Sequence, residues 1–93
     1  MSSFAARREP PAMDVQVSED EIIASLADGR RVSAPLVWFP RLRDASAAQR
    51  SNWRLIGDGE GIHWPDADED TSVEALLSGV PSVEFARRTS GGA

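Results

Sequence analysis

Residues 22–36, IIASLADGRRVSAPL, decide how this chain folds. Ile22 to Ala27 is apolar enough for a central strand. Asp28-Gly29 follows, the dipeptide best suited to a type I′ hairpin turn, which needs positive φ at both central residues. Arg31 to Leu36 then returns, with Val32, Ala34 and Leu36 on one face. Pro35 lacks a ladder donor, so this strand ends there or lies at a sheet edge. A tight hairpin around a buried strand means an antiparallel sheet. Upstream, Met13 to Val17 alternates, with Met13, Val15 and Val17 on one face and Asp14 and Gln16 on the other. The three segments read as a β-meander.

Working outward towards the C-terminus, Leu36, Val37, Phe39 and Leu42 are apolar and Pro40 stands where a short helix can begin. Ser46-Ala-Ala-Gln49 has the spacing of a capping box, in which the hydroxyl and the amide side chain satisfy each other's backbone N–H groups. Trp53, Leu55 and Ile62 alternate with polar neighbours around the glycine-rich loop 57–61, so a strand is expected on each side of it. The stretch GIHWPDADEDTSVEALL (residues 61–77) reads as the end of a strand, an acidic turn and a helix. Thr71 and Glu74 have capping-box spacing, Val73, Leu76 and Leu77 form an apolar face, and Gly79 with Pro81 ends the helix. The expected fold is α+β: a small antiparallel sheet with a β-meander of three strands, a short helix, two more strands and a C-terminal helix. Residues 1–12 read as a loose tail, 13–80 as one domain and 81–93 as a flexible tail from which Val83 and Phe85 could dock.

Composition narrows the chemistry. With 93 residues there is one small core, and with no cysteine there is no disulfide, thiolate nucleophile or cysteine-held zinc. No apolar run approaches a membrane span, and the start MSSFAARREPPAMD lacks a secretory h-region, which points to a cytoplasmic protein. Between Asp14 and Glu74 stand 13 acids against six arginines, a net of −7. Phosphate affinity grows with the number of cations presented, so direct nucleic-acid binding is not expected of such a domain. A basic protein partner suits it better.

Four stretches, LADGR (26–30), PLVWFPRL (35–42), GIHWP (61–65) and DEDTSVEALLSG (68–79), occur in an order that resembles domain-of-unknown-function family 2442. The resemblance covers residues 13 to 80. It implies a small prokaryotic α+β domain with an antiparallel sheet and short helices, and it supplies no catalytic residue to carry over. Some members of the family carry a helix-turn-helix after this domain. The short run after Gly79 leaves no room for one here, so a DNA-binding role loses its usual carrier. Members are often encoded beside another small protein, as toxin–antitoxin pairs are.

The acidic stretch is the place where chemistry would sit. Asp66, Asp68 and Asp70 have the alternate spacing that opens a calcium loop, but its required glycine and bidentate glutamate fall on Thr71 and Leu77. His63 has no second histidine or cysteine to work with, and on a strand it faces away from Ile62 and Trp64. The serines lack a nucleophile elbow and the glycines lack a phosphate loop. Trp38, Trp53 and Trp64 read first as core anchors, with Trp38 or Trp64 as an alternative interface anchor. The functional expectation is a non-catalytic protein-interaction module that needs no cofactor or metal. Its partner would be a small neighbouring-gene product, basic in character, with a homo-oligomer as a further expectation. The residues that would carry the interaction are Trp64, Asp66, Asp68, Glu69 and Asp70, with Arg41 and Arg43. Two alternatives stand beside it: a transcription-regulatory component, and a metal-dependent enzyme using Asp66, Asp68 or Glu69 with His63.

Overall fold

The computed structural model describes residues 9–91. The loose tail expected over residues 1–12 therefore falls largely outside the described residues. Strands β1 (Ala12–Val17), β2 (Glu21–Leu26) and β3 (Arg31–Pro35) form one antiparallel sheet with β2 in the centre. A turn of 3₁₀ helix at Leu36–Trp38 leads into helix α1 (Pro40–Arg43), and α2 (Ala47–Ser51) follows. A second antiparallel sheet holds β4 (Arg54–Ile56), β5 (Gly61–Trp64) and β6 (Glu69–Ser72), with β5 in the centre. Helices α3 (Val73–Ser78) and α4 (Val83–Gly91) complete the chain. The α+β class and the element order follow the sequence reading, with a sixth strand added and the strands divided between two sheets.

The hairpin forms where Asp28-Gly29 places it, but by a different turn. Gly29 has φ +93° whereas Asp28 is not in the left-handed region. Gly29 N–H donates to the Leu26 carbonyl and Leu26 N–H to the Arg30 carbonyl. That is the three-residue connection, an ordinary turn closed by one left-handed glycine, instead of the two-residue type I′ loop. The Asp28 carboxylate accepts from the Arg30 backbone N–H (3.0 Å) and side chain (2.7 Å). The backbone bond is the main reason its carboxyl is held below the usual range.

Strand β1 departs from strict alternation. Its register slips between Ala12 and Asp14, so Ala12 and Val15 share the buried face while Met13 is 65% exposed. An extra residue in one strand turns the following side chains over, a bulge that alternation alone does not reveal. In β2, Ile22, Ala24 and Leu26 point into the core, as its central place requires. Pro35 ends β3, which is an edge strand, where a missing ladder donor costs nothing.

One core joins the two sheets. Ile22, Ala24, Leu36, Phe39, Leu42, Ile62, Trp64, Val73 and Leu76 belong to a single buried cluster, with Trp38 and Trp53 packed against it. Phe39 and Leu42 enter it because Pro40 starts α1 between them, at the first helical position where its missing N–H is not needed. Helix α2 is closed by the expected box: the Ser46 hydroxyl accepts from Gln49 N–H (3.1 Å), and the Gln49 side chain accepts from Ser46 N–H (2.9 Å).

Within the segment read as a flexible tail over 81–93, Val83–Gly91 is helical. Ser82 is buried, and its hydroxyl donates to the Trp38 carbonyl (2.7 Å) while accepting from Phe85 N–H (3.1 Å). It starts α4 and ties that helix to the segment preceding α1 in one stroke. Glu84 and Arg88 pair one turn apart at 2.9 Å. The signal was present in the sequence as Ser82 followed by Glu84, an N-cap before an acid, and was hidden by the glycine-rich end. Replacing Ser82 by alanine should cost roughly 1–2 kcal/mol at this cap and release α4. Hydrogen exchange would show faster exchange over Phe85–Arg88 and little change in β2.

Candidate functional site

The acidic stretch is divided by the hairpin that joins β5 to β6. Pro65 favours a turn in which Ala67 N–H donates to the Trp64 carbonyl, and Asp68 takes the left-handed conformation at φ +52°. The chain then pairs back on β5, with Trp64 opposite Glu69, His63 opposite Asp70, Ile62 opposite Thr71 and Gly61 opposite Ser72. A strand stands where the sequence suggested a turn running straight into a helix. The run Glu-Asp-Thr-Ser has no apolar alternation, and it becomes a strand through its partner β5, not through its own propensity.

The strand also moves the helix start. The N-cap of α3 is Ser72, not Thr71, and the Ser72 hydroxyl accepts from Ala75 N–H (2.9 Å). The helix ends as expected: Gly79 is left-handed at φ +75°, and Val80 N–H donates back to the Ala75 carbonyl (2.9 Å).

Alternation along β6 sorts the proposed partner-binding residues. Trp64 is fully enclosed and its indole N–H donates to the Arg50 carbonyl (3.0 Å), so it is a core anchor and offers no surface to a partner. Glu69 lies on the same inner face and is 9% exposed. Asp66, Asp68 and Asp70 are exposed. Their carboxylates go different ways: Asp66 accepts from the Asn52 side chain (3.0 Å), Asp68 faces Arg41 (3.5 Å) and Asp70 faces His63 (3.6 Å). Among the described residues no three acid or histidine side chains converge on one point.

The arginines are divided as well. Arg41 donates to the Asp68 carbonyl (2.8 Å), and its guanidinium also lies 3.6 Å from Glu84 of α4. Arg43 pairs with its neighbour Asp44 (3.3 Å) and takes no part in the acidic stretch. Arg50, which the sequence offers only as a surface charge, is structural. Its guanidinium donates to the carbonyls of Leu42 (2.9 Å) and Arg43 (2.7 Å), which closes the end of α1.

Arg41, Asp68, Glu69 and Asp70 border a cleft of ≈ 440 Å³. One wall is Asp68 and β6 with Ala75; the other is Val80 to Glu84 with Arg87. Arg41, bonded to Asp68 on one wall and close to Glu84 on the other, bridges the two. Ser82, Glu84 and Arg87 were not singled out from sequence, because they join the cleft only once α4 folds back.

Two carboxyls of the cleft are displaced in opposite directions. Burial pushes Glu69 above the usual range, against the opposing pull of the Asp70 backbone N–H that it accepts at 3.2 Å. The side-chain hydrogen bond from Arg88 holds Glu84 below its usual range. An acid whose folded-state pKa is raised gives its full stability below its unfolded value, near 4.5, and loses it as pH rises through the folded value. Glu69→Gln should therefore raise the thermal midpoint at pH 7, with the gain vanishing below pH ~4. Equal midpoints for the two proteins at pH 7 would remove this account of Glu69.

Comparisons with known proteins place the fold and leave the activity open. No curated protein matches the chain significantly. A crystal structure of a protein of unknown function from Rhodospirillum rubrum is 28% identical, covers 83% of this chain and 95% of its own, and superposes with a TM-score of 0.69. A solution structure of an uncharacterised protein from Chromobacterium violaceum is 20% identical, covers 95% of this chain and 83% of its own, and has a TM-score of 0.73. The second likeness shows the fold alone. A family model described as "Protein of unknown function (DUF2442)" matches residues 12–82, from the first residue of β1 to the cap of α4, and the chain belongs to that family.

Proposed function

We propose that this chain is a non-catalytic protein-interaction module, an antitoxin-like or regulatory partner of a small basic protein. The observation that carries this reading is the way the β5–β6 hairpin divides its acids. It leaves Asp66, Asp68 and Asp70 exposed while Trp64 and Glu69 hold it from within. A rigid hairpin that presents like charges to water builds a negative field, which steers a cationic partner and fixes its orientation. Of the nearby arginines, Arg43 and Arg50 are engaged elsewhere, and Arg41 offsets part of that field through Asp68. Among the described residues no group of three acid or histidine side chains is placed to hold a metal ion, so the metal-dependent alternative gains no support.

The test is co-expression with the product of the neighbouring gene, followed by gel filtration at two salt concentrations. One shared peak is expected at low salt, weakened at high salt and separated by the combined Asp66→Asn, Asp68→Asn and Asp70→Asn substitutions. Two peaks for the unaltered protein at micromolar concentration would overturn the reading.

A further inference from the structure

Resting on that reading, we infer that the cleft beside β6 is a strand-docking groove. It takes a short extended segment that alternates basic and small apolar residues and pairs with the free edge of β6.

The edge is unpartnered by sheet order, since β6 is the last strand of its sheet. Which of its groups point outward follows from the register. Val73 N–H donates to the Glu60 carbonyl (3.0 Å), one step beyond the Gly61–Ser72 pair. In an antiparallel ladder only alternate pairs exchange bonds. The bonded pairs are therefore Ile62–Thr71 and Trp64–Glu69, and the backbone N–H groups of Asp70 and Ser72 point away from β5 into the cleft. Two side-chain contacts agree with this. Glu69 folds over to accept from Asp70 N–H, and Arg41 donates to the Asp68 carbonyl. Each holds an outward group that a docking strand would take over.

The dimensions fit a strand. Three extended residues, at about 3.3 Å each, reach along the edge from Asp70 to Ser72, and the cleft of ≈ 440 Å³ lies beside both. Charge selects the occupant. Four acids, Asp68, Glu69, Asp70 and Glu84, line the cleft against Arg41 and Arg87, and Arg41 is already engaged with Asp68 and Glu84. Asp68 and Asp70 stand on the rim, with side chains 93% and 62% exposed, while Val80 and Val83 line the far wall. A second copy of β6 is disfavoured, because it would bring a second Glu69-Asp70 pair to the same four-residue edge, where like charges repel.

The experiment uses the full-length, isotopically labelled chain and the capped peptide Arg-Val-Arg-Val-Arg-Val. Two further versions are N-methylated, one on the arginines and one on the valines. The parent peptide should slow hydrogen exchange at Asp70 and Ser72. At least one methylated version should bind about tenfold more weakly, the loss of one bond with its partner left unsatisfied. Asp70→Lys should weaken the parent peptide by a few-fold, as a cross-strand ion pair becomes a repulsion. Equal binding of all three peptides, or no binding of the parent at millimolar concentration, would overturn the groove. Neither result touches the interaction module itself, which stands or falls on co-elution with its protein partner.

Discussion

Replacing Trp64 by alanine is expected to remove about 3–5 kcal/mol of folding stability, the usual cost of deleting a buried aromatic. Trp64 is fully enclosed, sits at the centre of the cluster shared by both sheets and stands at the end of the central strand β5. Its loss leaves a cavity in that shared core, and it frees the Arg50 carbonyl that the indole N–H now satisfies. A domain of this size has roughly 5–14 kcal/mol in total, so the variant should lie close to the unfolding threshold at 37 °C. Trp64→Phe separates the two contributions. It keeps most of the volume, so its remaining deficit should be near the 1–3 kcal/mol of one unsatisfied buried carbonyl. Denaturant unfolding of the pair measures both. A Trp64→Ala midpoint within the error of the parent would mean that the core is not built around this ring.

The second large effect is expected at Gly59, which the sequence marks only as one glycine of the loop 57–61. It lies in the 3₁₀ turn between β4 and β5 at φ +91°, and a Cβ there would stand 2.8 Å from both the Ala12 carbonyl oxygen and the Pro11 Cβ. The turn is thus pressed against the start of β1, where the second sheet meets the first. Gly59→Ala combines backbone strain of about 1–3 kcal/mol with an overpacking cost of about 1–3 kcal/mol. Gly29 provides the control. It has φ +93° but nothing within 4 Å of the added Cβ, so Gly29→Ala bears the strain alone. For a domain of this length each kcal/mol lowers the thermal midpoint by about 4–8 °C. Gly59→Ala should therefore melt well below Gly29→Ala, and equal midpoints would show that the sheets do not meet at this turn.

The candidate site was legible in sequence only in part. Asp66, Asp68 and Asp70 were marked by their density, and the structure leaves all three on the surface. Trp64 was marked with them because it is their neighbour in the chain, yet on a strand it faces the core. Glu69 was read as one more surface acid. Its burial follows from the Trp64–Glu69 pairing, which a four-residue strand without an apolar pattern does not announce. Arg41 and Arg43 are two residues apart and look equivalent, but only Arg41 reaches Asp68 and Glu84. The far wall of the cleft was invisible, because Ser82 and Glu84 join the site through the fold of α4.

What the sequence by itself determined was local. Asp28-Gly29 required a hairpin, Pro40 a helix start, Ser46 with Gln49 a cap and Gly79 a helix end, each through backbone chemistry confined to a few neighbouring residues. What only the tertiary structure decided was every feature that depends on a partner distant in the chain. Those features are the bulge that exposes Met13, the strand made from Glu69–Ser72, the burial of Glu69, the docking of Ser82 on Trp38 and the bridge of Arg41 across the cleft. The reason is physical: a turn or a cap is satisfied by its own segment, whereas a strand edge, a buried acid or a cleft wall exists only when a second segment lies against it.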